Sequence, residues 1–298
     1  MRDYGVEGQL GLEESFHEYI DKLCAIFDEI RRVLKQTGTC WVNIGDTYST
    51  RIKGKWGPYL QSKSSRQESD ASRTKCQGSN LPSKCLLQIP ARFAIGMISR
   101  GWILRNEIIW HKPTAMPDGA KDRFTVDFEK IFFFVKQEHY WFDLDSVREP
   151  HKEHNKTEAL KQARKMGFQG NTSYKDWYFH MRKKTDWTGG RHSLQMGKLA
   201  ARGVQKTKLI HPLGRAKRCV WSIATRPFFE NHFATYPPTL IETPVKAGCP
   251  KGGIVLDPFI GSGTTALVAK RLGRRFIGID LNPQYVRMAK KRLSEEQP

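Results

Sequence analysis

The 298-residue sequence lacks paired cysteines and long hydrophobic runs. Its six cysteines form no C-x-x-C pair and no zinc-finger spacing, so reduced thiols are expected and no residue is assigned as a metal ligand. Nowhere do about 18 apolar residues follow one another, and the N-terminus has no apolar stretch typical of a signal peptide. These absences predict a cytoplasmic protein that does not cross a membrane.

Acidic residues are also scarce. The chain has 50 lysines and arginines against 30 aspartates and glutamates, which gives a net charge of +20. Such an excess indicates a polyanionic partner. Residues 151–220 carry 17 basic and four acidic residues, and residues 47–84 carry eight and two. The segment 47–84 is interpreted either as a solvated linker or as a loop that becomes ordered on a nucleic-acid backbone.

A strand, a glycine turn, a helix and a second strand are predicted near the C-terminus. Ile254 to Leu256 has the apolar, β-branched character of a buried strand, and the residues after it turn sharply at two glycines. Thr264 and Thr265 are expected to cap the helix 266–272. The next strand, 276–279, ends at Asp280, where nucleotide-binding α/β folds hold a ribose diol.

The glycine turn leaves more than one nucleotide ligand open. Gly261 to Ala266 satisfies the loose pattern G-x-G-x-x-G/A with Asp280 downstream, as in NAD-dependent dehydrogenases. Asp257, directly before the turn, would repel a pyrophosphate but attract the ammonium group of a zwitterionic ligand. A phosphate-binding P-loop is excluded because no lysine follows the glycines at the required position.

The string Asp-Pro-Phe-x-Gly-Ser-Gly-Thr-Thr, residues 257–265, resembles the S-adenosylmethionine site of the DNA amino-methyltransferases. These enzymes methylate adenine N6 or cytosine N4. The resemblance implies S-adenosylmethionine as cofactor, with the methionine part near Asp257, the ribose hydroxyls on Asp280 and the adenosine near Asn282. The implied cofactor residues are Asp257, Pro258, Phe259, Gly261, Ser262, Gly263, Thr264, Thr265, Asp280 and Asn282.

Other segments are similar to the same family. They include residues 2–5, 43–46 and 110–113, and the resemblance implies that Asp46, Lys112 and Pro113 lie at the rim of the active site. The segment 231–237 is similar to one that closes over the methionine part of the cofactor. His232 and Phe233 are therefore further cofactor candidates, with Phe233 as an apolar lid.

The expected fold is a doubly wound, mixed α/β sheet of the Rossmann-like methyltransferase type in permuted order. Residues 1–150 are expected to form the catalytic half, 151–225 a basic target-recognition insert and 226–298 the cofactor half. Helices are predicted at 13–34 and 89–99, and a strand at 40–44. Strands 103–110 and 130–136 are expected to pair antiparallel at a sheet edge.

Aromatic residues accompany the basic residues of the insert. Basic side chains neutralise phosphates, whereas aromatic side chains can stack on bases, so double-stranded DNA is the expected partner and the nucleoid the expected location. Tyr174 and its aromatic neighbours could instead form a small core of their own. The candidate DNA-binding residues are Lys175, Trp177, Arg182, Lys183, Lys184 and Arg191.

One family motif is absent from the sequence. The family uses Asp/Ser/Asn-Pro-Pro-aromatic to accept the amino hydrogens of a flipped base and to stack on it. Residues 236–239 read Tyr-Pro-Pro-Thr, with unsuitable flanks, and are interpreted as a helix start. The strand that carries the motif is expected from an upstream segment or a second chain, so the 298 residues alone are expected to fold poorly or to lack activity.

The sequence is also compatible with three other functions. They are a catalytically inactive DNA-binding remnant of the family, an RNA methyltransferase and an NAD-dependent dehydrogenase. Within the DNA methyltransferases, the Arg-Asp-Tyr-Gly opening slightly favours cytosine N4 over adenine N6. A cognate restriction enzyme is a further expected partner.

Overall fold

The computed structural model describes residues 6–49, 81–165, 168, 170, 173–176, 178, 211–225 and 236–296. The chain divides into a larger unit, Met1–Asp143 with Cys219–Pro298, and a smaller unit, Leu144–Arg218. None of the helices in the described ranges is long and apolar enough to span a membrane.

The larger unit contains a four-stranded mixed sheet. Its strands are β1 (Thr39–Ile44), β2 (Ile103–His111), β3 (Phe128–Val135) and β4 (Val220–Ser222), in the order β1-β3-β2-β4. β3 is antiparallel to both β1 and β2, and β4 is parallel to β2. The mixed α/β fold expected from the sequence is confirmed.

Helices cover both faces of this sheet. α1 (Phe16–Val33) and α2 (Ile89–Ser99) pack on one face, and α4 (Pro238–Gly248) packs on the other. α1 begins where Ser15 Oγ accepts a hydrogen bond from the Glu18 amide, and its apolar residues recur at helical spacing. The predicted boundaries of α1 and α2 agree with the structure to within three residues.

The apolar run of β3 is explained by burial on two faces. Phe132 and Phe134 pack into the core under α1 and α2, whereas Ile131, Phe133 and Val135 pack into the core that includes Leu240 of α4. Because alternate side chains of a strand point to opposite faces, a strand covered on both sides needs apolar residues at every position. The run therefore identifies an interior strand.

The expectation that β2 and β3 lie at a sheet edge was wrong. Their antiparallel pairing is confirmed, but β3 also pairs with β1, and Ile109 to His111 of β2 pair with β4. The physical reason is that β4 returns to the sheet from about 110 residues further along the chain. The loop between β2 and β3 gives no indication of that distant pairing.

A second, two-stranded parallel sheet lies in the same unit. It consists of β5 (Ile254–Asp257) and β6 (Arg275–Gly278), connected by α5 (Thr264–Arg271), and α6 (Pro283–Glu295) follows β6. This is the strand, turn, helix and strand predicted from the sequence. α4 begins at Pro238 after Pro237, so the interpretation of Tyr-Pro-Pro-Thr as a helix start is confirmed.

The smaller unit contains α3 (Glu153–Lys165) and a two-way backbone bridge between Glu149 and Arg215. The side chains of these two residues also form an ion pair at 3.0 Å. A cavity of about 310 Å³ is lined in part by His151, Tyr174 and His211.

Candidate functional site

Asp257 ends β5, and its carboxylate lies against one backbone amide and two hydroxyls. Oδ1 accepts the backbone N–H of Phe259 at 2.9 Å. Oδ2 accepts the hydroxyl of Thr265 at 2.5 Å and lies 3.3 Å from the hydroxyl of Tyr236. The side chain is therefore fixed at the carboxyl end of the strand, where ligands bind in open α/β sheets.

The turn after Asp257 requires glycine. Gly261 and Gly263 have φ values of 49° and 82°, in the left-handed region that side chains disfavour. A Cβ on Gly263 would also lie 2.9 Å from the Cβ of Ala289 in α6. Gly263 therefore allows both the turn and the close approach of α6.

The expectation that Thr264 and Thr265 cap the helix was wrong. α5 starts at Thr264 with Gly263 as its N-cap and no side-chain cap hydrogen bond. The two hydroxyls have other partners, because Thr265 donates to Asp257 and Thr264 accepts from Arg292 Nη1 at 2.9 Å. The amides of the first helical turn accordingly remain directed toward the glycine turn.

Arg292 ties α6 to the turn, and sequence reasoning missed it. Its Nη1 lies 3.3 Å from the carbonyl oxygen and 3.4 Å from the hydroxyl of Ser262, in addition to its bond with Thr264. Ser262 and Thr264 are both buried. The sequence shows only a basic residue in a basic helix, which does not distinguish Arg292 from its neighbours.

Asp280 follows β6 and organises the neighbouring loop. Its Oδ2 accepts the Gly261 amide at 2.9 Å, and its Oδ1 accepts the Asn282 amide at 2.8 Å. Each carboxylate oxygen has two lone pairs, so each retains capacity to accept another hydrogen bond. Asn282 acts as the N-cap of α6 because its side chain accepts the Gln284 amide.

Two further implied cofactor residues occupy the start of the turn. Pro258 is partly exposed, and the Phe259 side chain is 47% exposed beside Asp257. An exposed aromatic ring at this position provides an apolar surface next to a fixed carboxylate. The structure thus brings together all the implied cofactor residues between Asp257 and Asn282.

Tyr236 is a second residue that sequence reasoning missed at this site. It lies directly before α4, packs against the apolar core beneath that helix and places its hydroxyl 2.6 Å from the Thr265 hydroxyl. Burial of the hydroxyl, followed by the nearby negative charge of Asp257, raises the pKa of Tyr236. The phenol therefore stays protonated and remains a hydrogen-bond donor.

α4 sets the orientation of the two sheets within the larger unit. Tyr236 before its first turn contacts Asp257 at the end of β5, and Gly248 in its last turn accepts a hydrogen bond from Thr39 at the start of β1. The carboxyl ends of β1 and β5 therefore face the same side.

The implied rim residues lie at that end of the four-stranded sheet. Asp46, just beyond β1, accepts a hydrogen bond from the Ile89 amide at 3.0 Å. It thereby provides an acceptor for the first backbone N–H group of α2, which has no partner within the helix. Lys112, just beyond β2, pairs with Glu129 and lies 4.5 Å from the centre of the Trp110 ring. Pro113 is exposed. Asp46 and Lys112 are thus held by structural contacts at the expected edge.

The other implied residues divide into two groups. His232, Phe233, Trp177, Arg182, Lys183, Lys184 and Arg191 lie outside the described residues. Lys175 is exposed in the smaller unit. Beside it, Tyr174 packs edge-on against Phe168 and lies 6.3 Å from Tyr178, and burial raises the pKa of Tyr174 to about 12. These contacts favour a small aromatic core for Tyr174.

Residues 2–291 match the family described as DNA methylase. The sequence is 34% identical to the type II methyltransferase M.XycI of Xanthomonas campestris pv. cyanopsidis, covering 98% of this chain and 77% of that protein. It is 35% identical to M.Cfr9I of Citrobacter freundii, covering 99% and 78%. It is 31% identical to M.SmaI of Serratia marcescens, covering 98% and 80%.

Solved structures share the fold at lower sequence identity. The PvuII DNA methyltransferase, named as cytosine-N4-specific, is 17% identical with a TM-score of 0.55, covering 95% of this chain and 73% of that one. A Thermus thermophilus protein complexed with S-adenosyl-L-methionine is 20% identical with a TM-score of 0.50, covering 97% and 82%. These similarities establish a methyltransferase fold.

Proposed function

Since the chain belongs to the DNA methylase family, we propose that β5, α5 and β6 form its binding site for S-adenosylmethionine. The protein is an S-adenosylmethionine-dependent DNA methyltransferase. The cofactor, when bound, supplies an electrophilic methyl group to an exocyclic amine of a DNA base. The chain's own residues bind and orient that cofactor.

The observation that carries this proposal is the placement of two fixed carboxylates at the ends of adjacent parallel strands. Asp257 ends β5, and Asp280 stands two residues beyond β6. An acid suits the ammonium of the methionine part, and the remaining lone pairs of Asp280 suit the two ribose hydroxyls. Phe259 adds an apolar surface, so the residues present fit the chemistry of S-adenosylmethionine.

The same arrangement disfavours a dinucleotide. A pyrophosphate at the glycine turn would lie next to the carboxylate of Asp257, and two negative groups in proximity repel each other. S-adenosylmethionine carries no phosphate and has a positively charged amino group. The site residues therefore support the methyl donor over NAD.

Calorimetry on the purified chain tests this assignment. We expect S-adenosylmethionine to bind and NAD to show no heat of binding. Asp280→Asn is expected to weaken the binding by about tenfold, because a neutral amide is a weaker partner for two hydroxyls than a carboxylate. Equal affinity for NAD, or an Asp280→Asn variant that binds as the parent chain does, would contradict the site assignment.

The methylated base is proposed to be cytosine, at N4, in a short duplex sequence. The similarity of the Arg-Asp-Tyr-Gly opening to one branch of the family supports this preference. The test is to incubate duplex DNA with the methyl donor and the protein, supplemented with a strand that carries the Pro-Pro-aromatic motif, then digest the DNA to nucleosides and measure them by mass spectrometry. N4-methylcytosine is the expected product, and N6-methyladenine would refute the base assignment while leaving the cofactor site intact.

We also propose that another strand completes the catalytic side of the site. Among the described strands, β1 pairs only with β3, and β5 pairs only with β6. Unpaired backbone groups inside a sheet are costly, at roughly 1 to 3 kcal/mol each. A strand from a second chain or a further segment, carrying the Pro-Pro-aromatic motif, would satisfy both edges and supply the base-binding groups.

The basic insert is proposed to bind the duplex, which would place the protein in the cytoplasm in contact with the nucleoid. Its 17 basic residues within 151–220 support this role, as does the exposure of Lys175. DNA affinity should fall steeply with salt, and Lys175→Glu should weaken the binding. The type II names of the relatives support a cognate restriction enzyme as a further partner.

A further inference from the structure

We propose that Tyr236 and Thr265 are positioning residues that orient Asp257 to receive the ammonium group of the methyl donor. This inference rests on the proposed cofactor site. The three side chains come from different elements: the lead into α4, the first turn of α5 and the end of β5. Their polar atoms lie within 3.3 Å of one another.

Counting hydrogens gives the network a direction. The carboxylate of Asp257 has no hydrogen to donate, so the 2.5 Å contact uses the single hydroxyl hydrogen of Thr265. The 2.6 Å contact between the two hydroxyls must then use the hydrogen of Tyr236. Tyr236 therefore donates to Thr265, and Thr265 donates to Asp257.

The direction matters because such chains strengthen each member. A hydroxyl that accepts one hydrogen bond becomes a better donor in the next, and a charged acceptor enhances the effect. A phenol is already protonated at neutral pH, and burial raises the pKa of Tyr236 further above its ordinary value, so its hydrogen is retained. The Tyr236 oxygen also lies 3.3 Å from Asp257 Oδ2, but its single hydrogen is directed to Thr265, so this contact adds no second hydrogen bond to that oxygen.

The two carboxylate oxygens of Asp257 have different surroundings in this network, so they are expected to have different roles in ligand binding. Oδ2 already accepts the Thr265 hydroxyl at 2.5 Å and is flanked by the Tyr236 oxygen at 3.3 Å, so these two hydroxyls occupy the space around it. Oδ1 faces only the Phe259 amide in this network and keeps one lone pair. We therefore expect Oδ1 to be the oxygen that accepts the ammonium hydrogen.

The role of Tyr236 has a structural basis as well. Its ring packs against the core that contains Leu240 of α4 and Phe133 of β3. Tyr236 therefore links the two sheets: its ring packs against the four-stranded sheet, and its hydroxyl contacts Asp257 at the end of β5 in the two-stranded sheet. A phenylalanine would keep this packing and lose only the hydroxyl.

The test compares two ligands that differ at the ammonium end. S-adenosylmethionine carries the amino acid part, whereas 5′-methylthioadenosine lacks it and retains the adenosine. Calorimetry on the full chain would measure both dissociation constants for the parent and for Tyr236→Phe, Thr265→Val, Thr265→Ser and Asp257→Asn. Tyr140→Phe serves as the matched control, because its hydroxyl bonds to Arg105.

We expect Tyr236→Phe to raise the dissociation constant of S-adenosylmethionine about fivefold and Thr265→Val about tenfold or more. Thr265→Ser keeps the hydroxyl and should stay within about twofold of the parent chain. Methylthioadenosine should bind all of these variants within about twofold of the parent. Tyr140→Phe should change neither ligand.

Each contrary outcome is informative. If Tyr236→Phe and Thr265→Val weaken both ligands equally, the residues only maintain the fold and the inference is overturned. If Asp257→Asn leaves the preference for S-adenosylmethionine intact, the proposed cofactor site itself is wrong. If Asp257→Asn abolishes the preference while the hydroxyl variants keep it, only the positioning role is refuted. Should Tyr236→Phe fail to fold in a thermal melt, the Thr265→Val and Thr265→Ser pair decides.

Discussion

The two sheets of the larger unit are stabilised in different ways. The four-stranded sheet is covered on both faces, and Ile131 to Val135 of β3 are at most 3% exposed. In the two-stranded sheet, α5 packs against β5 and β6, yet Ile277 is 51% exposed and Ile254 is 48% exposed. Apolar burial therefore stabilises the first sheet far more than the second.

The second sheet is rich in polar contacts where the first is rich in apolar ones. Asp257 and Asp280 bind amides and hydroxyls at the ends of its strands, and Arg292 fastens the turn between them. Hydrogen bonds are directional, whereas apolar packing is not. The difference suggests a division of tasks in which one sheet provides stability and the other provides the geometry of the ligand site.

The largest effect is expected from one substitution made in both sheets, Ile131→Thr and Ile277→Thr. Both residues are β-branched isoleucines in strands, so the exchange leaves the strand preference nearly unchanged. Ile131 is 3% exposed, so the loss of apolar burial and the buried hydroxyl should cost roughly 2 to 4 kcal/mol. Ile277→Thr should cost about 0.5 kcal/mol, since half of that side chain already faces solvent.

Urea unfolding followed by circular dichroism measures both values. Each variant acts as the control for the other, because the same exchange is made in both and only the sheet that carries it differs. An Ile277→Thr variant as unstable as Ile131→Thr would break the comparison, because it would mean that the open face of β6 is covered in the folded protein. A completing strand or second chain added to the sample could produce that covering, so the measurement should be repeated in its presence.

A smaller effect is expected from Gly263→Ala with Gly252→Ala as its matched control. Both glycines have positive φ, 82° and 73°, so an alanine is strained at either position by about 1 kcal/mol. Only Gly263 has a close neighbour, since its Cβ would lie 2.9 Å from that of Ala289, whereas nothing lies within 4 Å at Gly252. Gly263→Ala should therefore cost about 1 to 2 kcal/mol more and should weaken cofactor binding.

A double-mutant cycle isolates the contact. Adding Ala289→Gly to Gly263→Ala should recover part of the extra cost, after correction for the effect of Ala289→Gly alone, because it removes the 2.9 Å contact with the Ala289 Cβ and leaves the 3.1 Å contact with its Cα. Equal destabilisation by Gly263→Ala and Gly252→Ala would show that α6 can move away from the turn. In that case Arg292, rather than close packing, would be the main link between α6 and the turn.

Local patterns in the sequence predict much of this molecule. The periodicity of residues 16–33 predicts α1, and the apolar run in β3 predicts a strand. The Asp-Pro-Phe-x-Gly-Ser-Gly-Thr-Thr string predicts the turn, because glycine and acid at strand ends have a local geometric meaning. Asp257 and Asp280 were predicted to lie at neighbouring strand ends, and the register of β5 and β6 agrees.

The contacts that the sequence did not predict are those between distant segments. Tyr236 reaches Asp257 across 21 positions, and Asp46 satisfies the start of α2 across 43. β4 was not predicted as a strand at all, since three residues carry too little periodicity. Propensity and spacing describe one element at a time, whereas these contacts depend on how elements pack.

The smallest effect is expected on the pH dependence of stability, when either of two cysteines is replaced. Cys40 lies in β1 of the four-stranded sheet, and Cys249 lies just before β5 of the two-stranded sheet. Burial raises the pKa of Cys40 in β1 to about 12 from an ordinary value near 9. Because the folded state favours the protonated thiol, this contribution to stability is complete below about pH 9 and is lost as the pH rises toward 12. By pH 10 the loss relative to neutral pH should reach about 1.4 kcal/mol, of which about 1 kcal/mol falls between pH 9 and 10. Cys40→Ala should therefore flatten the fall in unfolding free energy over that interval by about 1 kcal/mol. Cys249, which precedes β5, is only half-buried; burial also raises the pKa of its thiol, but Arg274 and Lys35 oppose the shift. Cys249→Ala should therefore change the slope less, and a larger change than that of Cys40→Ala would reverse the order of burial inferred for the two sheets.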